Sequence, residues 1–149
     1  MKKIYFPLRV LIIYLFFISS GFAVKSSYFD KGKILFDKKK FEKSKIFFER
    51  DIVFNPQSEK SYLYLAKIFK EDNNDQEQEV NLINVLLLNP QNDEAIYMLA
   101  LLKIKQSNYS EAKELIVRFD LVCESFCSKK LVMQEKFDKL VPENARDNN

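Results

Sequence analysis

The sequence predicts an all-α fold in which pairs of helices stack on one another, and three observations support that prediction. Glycine and proline are scarce, with two and four residues in 149, which argues against an all-β fold and favours long helices. A short Asn-Pro-Gln motif recurs at a spacing of 34 residues. Apolar residues such as Tyr62, Leu65, Ala66 and Phe69 recur at i, i+3, i+4 and i+7, the spacing of one helix face. A fixed spacing of this kind indicates repeated units that need their neighbours to bury an apolar face.

The N-terminal segment, residues 1–23, has the pattern of an export signal. It begins Met-Lys-Lys, continues with an apolar run from Val10 to Ile18, and ends in small residues that include Gly21 and Ala23. This order is typical of a secretory signal peptide. The apolar run is shorter than the roughly 20 residues of a membrane-spanning helix, so cleavage near Ala23 is favoured over retention as an anchor. The Met-Lys-Lys start is typical of bacterial signals, and we therefore expect a periplasmic or secreted chain.

The net charge of the chain comes entirely from this segment. Lys2, Lys3 and Arg9 account for the charge of +3, and the remaining residues carry 21 basic and 21 acidic side chains. A neutral body gives no electrostatic reason to expect nucleic acid or an anionic membrane as a partner. We expect contact with a membrane only through the signal segment before cleavage.

The recurring motif divides the rest of the chain into three units. Asn55-Pro56-Gln57 recurs as Asn89-Pro90-Gln91, and proline ends a helix because it lacks an N–H donor and restricts the residue before it. Counting 34 residues per unit, the units are residues 25–58, 59–92 and 93–126. The third unit has Glu124 where the other two have proline.

With the units aligned in this way, the chain resembles the tetratricopeptide-repeat (TPR) family, whose unit is two antiparallel helices. The resemblance lies in a small residue at the eighth position and large residues at the fourth and the 24th. These are Gly32, Ala66 and Ala100, then Tyr28, Tyr62 and Ile96, then Phe48, Leu82 and Ile116. Asp75 and Gln78 depart from the family pattern, so we expect the second helix of the middle unit to be shifted. The resemblance implies an exported bacterial TPR-like protein forming a right-handed solenoid of three helix-turn-helix repeats, preceded by the signal-peptide helix.

The last repeat of a solenoid exposes an apolar flank unless a further element covers it. Residues 128–141 are predicted to form a C-terminal capping helix that completes a TPR domain over residues 24–141. We expect four of its residues to face the third repeat: Leu131, Val132, Phe137 and Leu140. The polar residues 142–149 are expected to be a disordered tail.

Cys123 and Cys127 are the only cysteines and lie where the third repeat ends. In an oxidising compartment this pair predicts a disulfide, because Cα atoms four residues apart in a helix are about 6 Å apart. Thiol–disulfide exchange at the pair is an open alternative, although a Cys-x-x-Cys spacing on a βαβ frame is usual for that chemistry. The chain has no histidine, so no metal site, cofactor or catalytic nucleophile–base pair is expected.

In TPR proteins the first helix of each repeat lines a concave groove, and the resemblance implies a peptide-binding groove here. The corresponding residues are Phe29, Lys33, Phe36, Lys60, Leu63, Lys67, Lys70, Tyr97, Leu101 and Ile104. Aromatic and lysine side chains together favour an extended peptide with apolar side chains and some carboxylates. None of these residues is asparagine, so the carboxylate clamp of one TPR subgroup is not expected.

The functional prediction is a periplasmic adaptor or scaffold of the cell envelope that binds a protein or peptide. We expect neither enzymatic activity nor a small-molecule substrate. Besides thiol–disulfide exchange, one further alternative is a membrane-tethered assembly subunit that retains residues 1–23.

Overall fold

The computed structural model describes residues 27–140, and the predictions for the signal segment and for residues 142–149 lie outside this range. Within it the chain forms seven α-helices, a short 3₁₀ turn and no strand. The helices are α1 Ser27–Asp37, α2 Phe41–Phe54, α3 Glu59–Glu71, α4 Asp75–Leu88, α5 Asp93–Lys105, α6 Tyr109–Val122 and α7 Lys130–Leu140, with the 3₁₀ turn at Cys127–Lys129. Three helix-turn-helix pairs followed by a terminal helix confirm the predicted all-α repeat fold. None of these seven helices is long and apolar enough to span a membrane.

The second helix of each pair begins at the same position of the 34-residue spacing, at Phe41, Asp75 and Tyr109. The expected shift of the middle helix is therefore wrong. Asn74 caps α4 by accepting a hydrogen bond from the backbone N–H of Glu77 at 3.1 Å. Asp75 then places a negative charge in the first turn, where the helix dipole favours it, and pairs with Lys105 at 2.6 Å. Capping and charge set the start of α4, and the departing residue Gln78 is simply buried.

The turn inside each pair has one repeated geometry. Its central residue adopts a positive φ, 56° at Lys39, 55° at Asn73 and 60° at Ser107. The next backbone N–H reaches back to the last turn of the preceding helix, as from Asn74 to the carbonyl oxygen of Phe69 at 2.8 Å. This is the hydrogen-bond pattern that commonly ends a helix on a left-handed residue. It satisfies the terminal carbonyl groups of α1, α3 and α5 in the same way.

Small residues at the eighth position allow the two helices of a pair to approach closely. A Cβ atom built on Gly32 would lie 2.8 Å from the Phe48 ring, which is inside van der Waals contact. Ala66 and Ala100, at the equivalent positions of the second and third pairs, are fully buried. The close crossing is therefore present in the first pair, and the small residues at the equivalent positions of the other two pairs are buried.

A proline lies at each of the two junctions between pairs, and a cysteine pair lies at the third junction, between the third pair and α7. Helices α2 and α4 end shortly before Pro56 and Pro90. At the third junction the sulfur atoms of Cys123 and Cys127 lie at disulfide-bond distance, and their Cα atoms are 5.2 Å apart, in agreement with the predicted disulfide. Asp93, the first residue of α5, anchors the same loop from outside. Its carboxylate accepts hydrogen bonds from three successive backbone N–H groups at 2.7–2.9 Å: Glu124, Ser125 and Phe126.

The apolar core has two parts. Phe48, Leu65 and Ile68 form a small cluster between the first and second pairs. A larger cluster runs through the second and third pairs and ends on α7. Lys31 of α1 is exposed at the position where α3 buries Leu65, and Ile34, one turn further along α1, is exposed as well. A polar outer face is typical of a terminal repeat, because no neighbour covers it.

The predicted core face of α7 is mostly wrong. Phe137 is buried as expected, together with Met133, which the prediction left out. Leu131, Val132 and Leu140 are 80%, 41% and 58% exposed. Only a narrow stripe of α7 reaches the third pair, and residues four apart share one side of a helix, so Met133 and Phe137 occupy that stripe.

Candidate protein-binding surface

The first helices of the three pairs lie side by side with α7 on one side of the molecule. Phe29 and Phe36 of α1 contact Tyr64 of α3, and Lys67 of α3 forms an ion pair with Glu94 of α5 at 2.9 Å. Helix α5 then packs against α7. We call the exposed surface shared by α1, α3, α5 and α7 the inner-helix face. The ten residues predicted to form a peptide groove all belong to helices of this face.

Tyr64 is the centre of an aromatic cluster on the inner-helix face. Its ring centroid is 5.7 Å from that of Phe29 and 4.9 Å from that of Phe36, both edge-on, and 5.0 Å from that of Phe48, stacked. Such ring geometries stabilise aromatic pairs beyond the area that they bury. Tyr64 was missed in the sequence because it is not one of the residues that the TPR resemblance assigns to the groove. The available signal was the local excess of aromatic residues on both sides of the first junction.

Two lysines from neighbouring helices flank the Tyr64 ring. The Nζ atom of Lys33 lies 5.8 Å and that of Lys67 4.8 Å from the ring centroid, which is the geometry of a cation–π contact. Lys33 also donates a hydrogen bond to Asp37 at 2.8 Å, and this bond is the main cause that raises the pKa of Lys33. The side chain of Lys33 is 44% exposed and that of Lys67 24% exposed, so both ammonium groups remain reachable from solvent.

The remaining predicted groove residues divide between the core, the surface and a cleft. Leu63 is buried in the core, and Lys60 is exposed at the start of α3. Tyr97 packs between Phe119 and Phe126, with centroids 6.3 and 5.9 Å away, and burial raises its pKa. The other three line a cleft at the far end of the face: Lys70, Leu101 and Ile104.

This cleft has a volume of about 660 Å³ and is lined by the end of α3, the start of α4, the second half of α5, the start of α6 and the end of α7. We call it the C-terminal cleft. Its floor is apolar and comes from α5: Met98, Leu101, Leu102 and Ile104. Its rim carries three lysines and one leucine: Lys70, Lys105, Lys136 and Leu140. The volume falls in the range of ligand pockets, about 300–1,000 Å³.

The burial of Lys103 has a structural explanation. Lys103 is 6% exposed and lies 2.6 Å from Glu79 and 3.0 Å from Glu111. Burial by itself lowers the pKa of Lys103, but the hydrogen bonds to the two carboxylates raise it above its ordinary value. The bond from Lys103 is also the main cause that lowers the pKa of Glu79. The group is a paired ion cluster that joins α4, α5 and α6.

The residues described by the structure add no support for thiol–disulfide exchange. The cysteine pair lies in the loop between α6 and α7, on a helical frame without strands in residues 27–140. No group of three or more His, Cys, Asp or Glu side chains in that range could hold a metal ion.

Comparison with known proteins identifies the fold. No protein-family model matches the chain, and no curated protein matches it either. Among solved structures, the TPR domain of OM64 from Arabidopsis is similar to this chain with a TM-score of 0.71. The likeness covers 80% of this chain and 99% of that chain at 19% sequence identity. Helix order, repeat spacing and this likeness together show that the chain has the TPR fold.

Proposed function

We propose that this chain is an exported TPR adaptor of the cell envelope that holds a segment of another protein against its inner-helix face. The observation that carries the proposal is the cluster of Phe29, Phe36, Lys33 and Lys67 around Tyr64. Each of these five side chains is partly accessible, and they come from two different helices. Aromatic rings and cationic groups on one surface are typical of the residues that dominate protein interfaces.

The chemistry of the cluster favours an apolar partner side chain with a carboxylate nearby. The rings supply apolar area. Lys33 already forms an ion pair with Asp37, and Lys67 forms one with Glu94. A partner carboxylate therefore has to compete with, or join, an existing ion pair. Such exchange at a partly exposed site costs little, because exposed ion pairs contribute only about 0–1 kcal/mol.

The proposed location rests on residues 1–23, whose sequence has the order of a secretory signal. A disulfide at Cys123 and Cys127 is consistent with an oxidising compartment such as the periplasm. The intact mass of the chain recovered from the cells that make it tests this part. We expect loss of residues 1–23, and a full-length mass in the membrane fraction would instead support the tethered form.

Partner capture tests the binding function. The tagged full chain and its Lys33→Ala, Lys67→Ala double variant are expressed in the source cells, cross-linked and purified. We expect one or more envelope proteins to be enriched with the parent chain and to fall several-fold with the variant. A matched control replaces Lys43 and Lys129, which are exposed and lie outside the cluster, by alanine. Equal capture by all three chains would count against binding at the Tyr64 cluster.

A further inference from the structure

We propose that the C-terminal cleft is a second anchor point on the inner-helix face, which takes a large apolar side chain of an acidic partner segment. This inference rests on the proposed function, because it assigns one part of the partner segment to one part of the same face. It differs in location and in chemistry from the Tyr64 cluster, which has an aromatic lining.

The apolar floor of the cleft is rigid because most of it belongs to the core. Met98, Leu102 and Ile104 are 6%, 3% and 3% exposed, so their positions are set by packing within the third pair. Leu101 is half-buried and Leu140 is largely exposed, and these two side chains form the open part of the apolar wall. A preformed apolar cleft of this kind binds a side chain without the cost of ordering itself.

The charge of the rim selects the occupant. Lys105 is held by Asp75 at 2.6 Å. Lys70 and Lys136 are exposed, and neither forms an ion pair with any residue in the range 27–140. The only acidic side chain of the lining is Asp75, which is already paired. Two unpaired cations beside an apolar floor favour a partner segment in which a carboxylate stands next to the apolar anchor.

The position of the cleft favours a segment of a protein chain as the occupant. Lys70 and Leu101 belong both to the cleft and to the row of side chains along the inner-helix face. The cleft is therefore continuous with the surface that also carries Lys67 and Tyr64. A chain laid along this face reaches both sites, whereas a small molecule would use the cleft alone.

Helix α7 completes the cleft. Lys136 and Leu140 of this helix are the only residues of the cleft lining that lie outside the repeats. The same helix covers the core with Met133 and Phe137 on one stripe. The polar and apolar rim residues of α7 lie outside that stripe. Substitutions at Lys136 and Leu140 therefore change the cleft without removing buried side chains.

Fluorescence anisotropy with three labelled twelve-residue peptides tests the inference on the purified full chain. The first peptide alternates leucine and phenylalanine with aspartate, the second has lysine for every aspartate, and the third has serine for every apolar residue. We expect the first peptide to bind at least about tenfold more tightly than the other two, because only it satisfies both floor and rim. Equal affinity for the acidic and basic peptides, or no binding of the acidic apolar peptide up to about 1 mM, would overturn the inference.

Two chain variants locate the binding. Lys70→Glu combined with Lys136→Glu is expected to weaken the acidic apolar peptide about tenfold or more, and Leu140→Gln to weaken it several-fold. The matched control, Lys43→Glu with Lys129→Glu, makes the same change in net charge at exposed sites outside the cleft and is expected to stay within about twofold. Equal weakening by both double variants would mean that net charge alone attracts the peptide, which contradicts the inference.

The outcomes separate this inference from the proposed function. If partner capture depends on Lys33 and Lys67 but not on Lys70 and Lys136, the adaptor function stands and the cleft is not an anchor. If no partner is captured and no peptide binds, both proposals fall. If a fatty acid or an anionic vesicle of phosphatidylglycerol displaces the peptide and binds more tightly than it, the cleft is a lipid site and the inference is wrong.

Discussion

The Oγ atom of Ser44 donates a hydrogen bond to the carbonyl oxygen of Gly32, and the two atoms are 2.7 Å apart. The bond joins α1 to α2 inside the first pair, where both residues are buried. The bond lies at a close approach of the two helices, at a residue that has no side chain. The same close approach brings the Phe48 ring against the backbone of α1.

Replacing Gly32 by alanine is expected to destabilise the chain by about 1–2 kcal/mol. The new methyl group would lie 2.8 Å from the fully buried Phe48 ring, and overpacking of this kind typically costs about 1–3 kcal/mol. The better helix propensity of alanine offsets up to about 1 kcal/mol of that cost. Urea unfolding followed by circular dichroism measures the difference.

A double-mutant cycle with Phe48→Leu provides the control for this prediction. Leucine leaves space beside α1, so the combined variant should lose less stability than the two single variants added together. A Gly32→Ala chain that is more stable than the parent would show that helix propensity outweighs the crowding.

Ser107→Gly is expected to stabilise the chain by about 0.5–1 kcal/mol. Ser107, two residues after the end of α5, has a φ of 60°, a conformation that costs an L-residue about 1–2 kcal/mol and costs glycine almost nothing. Part of the gain is lost because glycine has more conformational entropy in the unfolded chain. Thermal unfolding of both chains gives the shift in Tm.

Ser110→Gly is the matched control for that substitution. Ser110 lies three residues further along, inside α6, where glycine costs up to about 1 kcal/mol relative to good helix formers. The two substitutions should therefore move Tm in opposite directions. A Tm that falls equally for both would mean that the φ of Ser107 carries no strain.

Removing the disulfide by Cys123→Ser with Cys127→Ser is expected to lower the free energy of unfolding by about 2 kcal/mol. The estimate comes from the chain entropy of closing so short a loop. Faster hydrogen exchange should be confined mainly to α7, because the loop connects this helix to α6. Dithiothreitol should destabilise the parent chain and leave the double variant unchanged, and an unchanged parent chain would mean that the bond stabilises nothing.

The contribution of Asp93 to stability should depend on pH. Burial by itself raises the pKa of the Asp93 carboxyl group, but hydrogen bonds from the backbone N–H groups of Phe126, Glu124, Ser125 and Glu94 bring it below the ordinary value of 3.8. Because the folded chain holds the proton less tightly than the unfolded chain, the stabilisation is complete above about pH 5. It is lost as the pH falls through the lowered pKa.

Asp93→Asn isolates this effect. The difference in unfolding free energy between the parent chain and the variant should be largest near neutral pH and should shrink between about pH 4 and pH 2. Asp30→Asn, at an exposed position on α1, serves as the control and should show a smaller difference that changes less over the same interval. A difference between parent and Asp93→Asn that is constant with pH would mean that the hydrogen bonds do not depend on the charge.

Local sequence signals predicted the repeats well because each signal acts within a few residues. Proline at positions 56 and 90 ends the preceding helices, and Gly32, Ala66 and Ala100 mark the crossings. The predicted shift of α4 was wrong because it relied on the side-chain types at Asp75 and Gln78. It did not consider the N-terminal cap that Asn74 supplies. Spacing and capping are properties of neighbouring residues, and the sequence shows them directly.

The predicted groove was only partly informative about the inner-helix face. Phe29, Lys33, Phe36 and Lys67 do lie together, but the residue that joins them is Tyr64. Leu63 was placed in the groove and is a core residue instead. The position of a residue within a repeat determines the side of its own helix on which it lies. Whether that side chain is buried depends on the side chains of the neighbouring helix that pack against it.

By itself, the sequence determined that this chain is a stack of three helix pairs with one spacing, and that its body is neutral behind an export-type segment. Only the tertiary structure showed that two lysines contact the Tyr64 ring and that Asp93 accepts hydrogen bonds from the cysteine loop. It also showed that Met133 of α7 is buried, whereas Leu140 lies on the rim of a cleft. The physical reason is the separation along the chain of the residues that interact. Turns and helix ends depend on hydrogen bonds between residues close in the chain, whereas surfaces are made by side chains about 30 residues apart that meet only when the repeats stack.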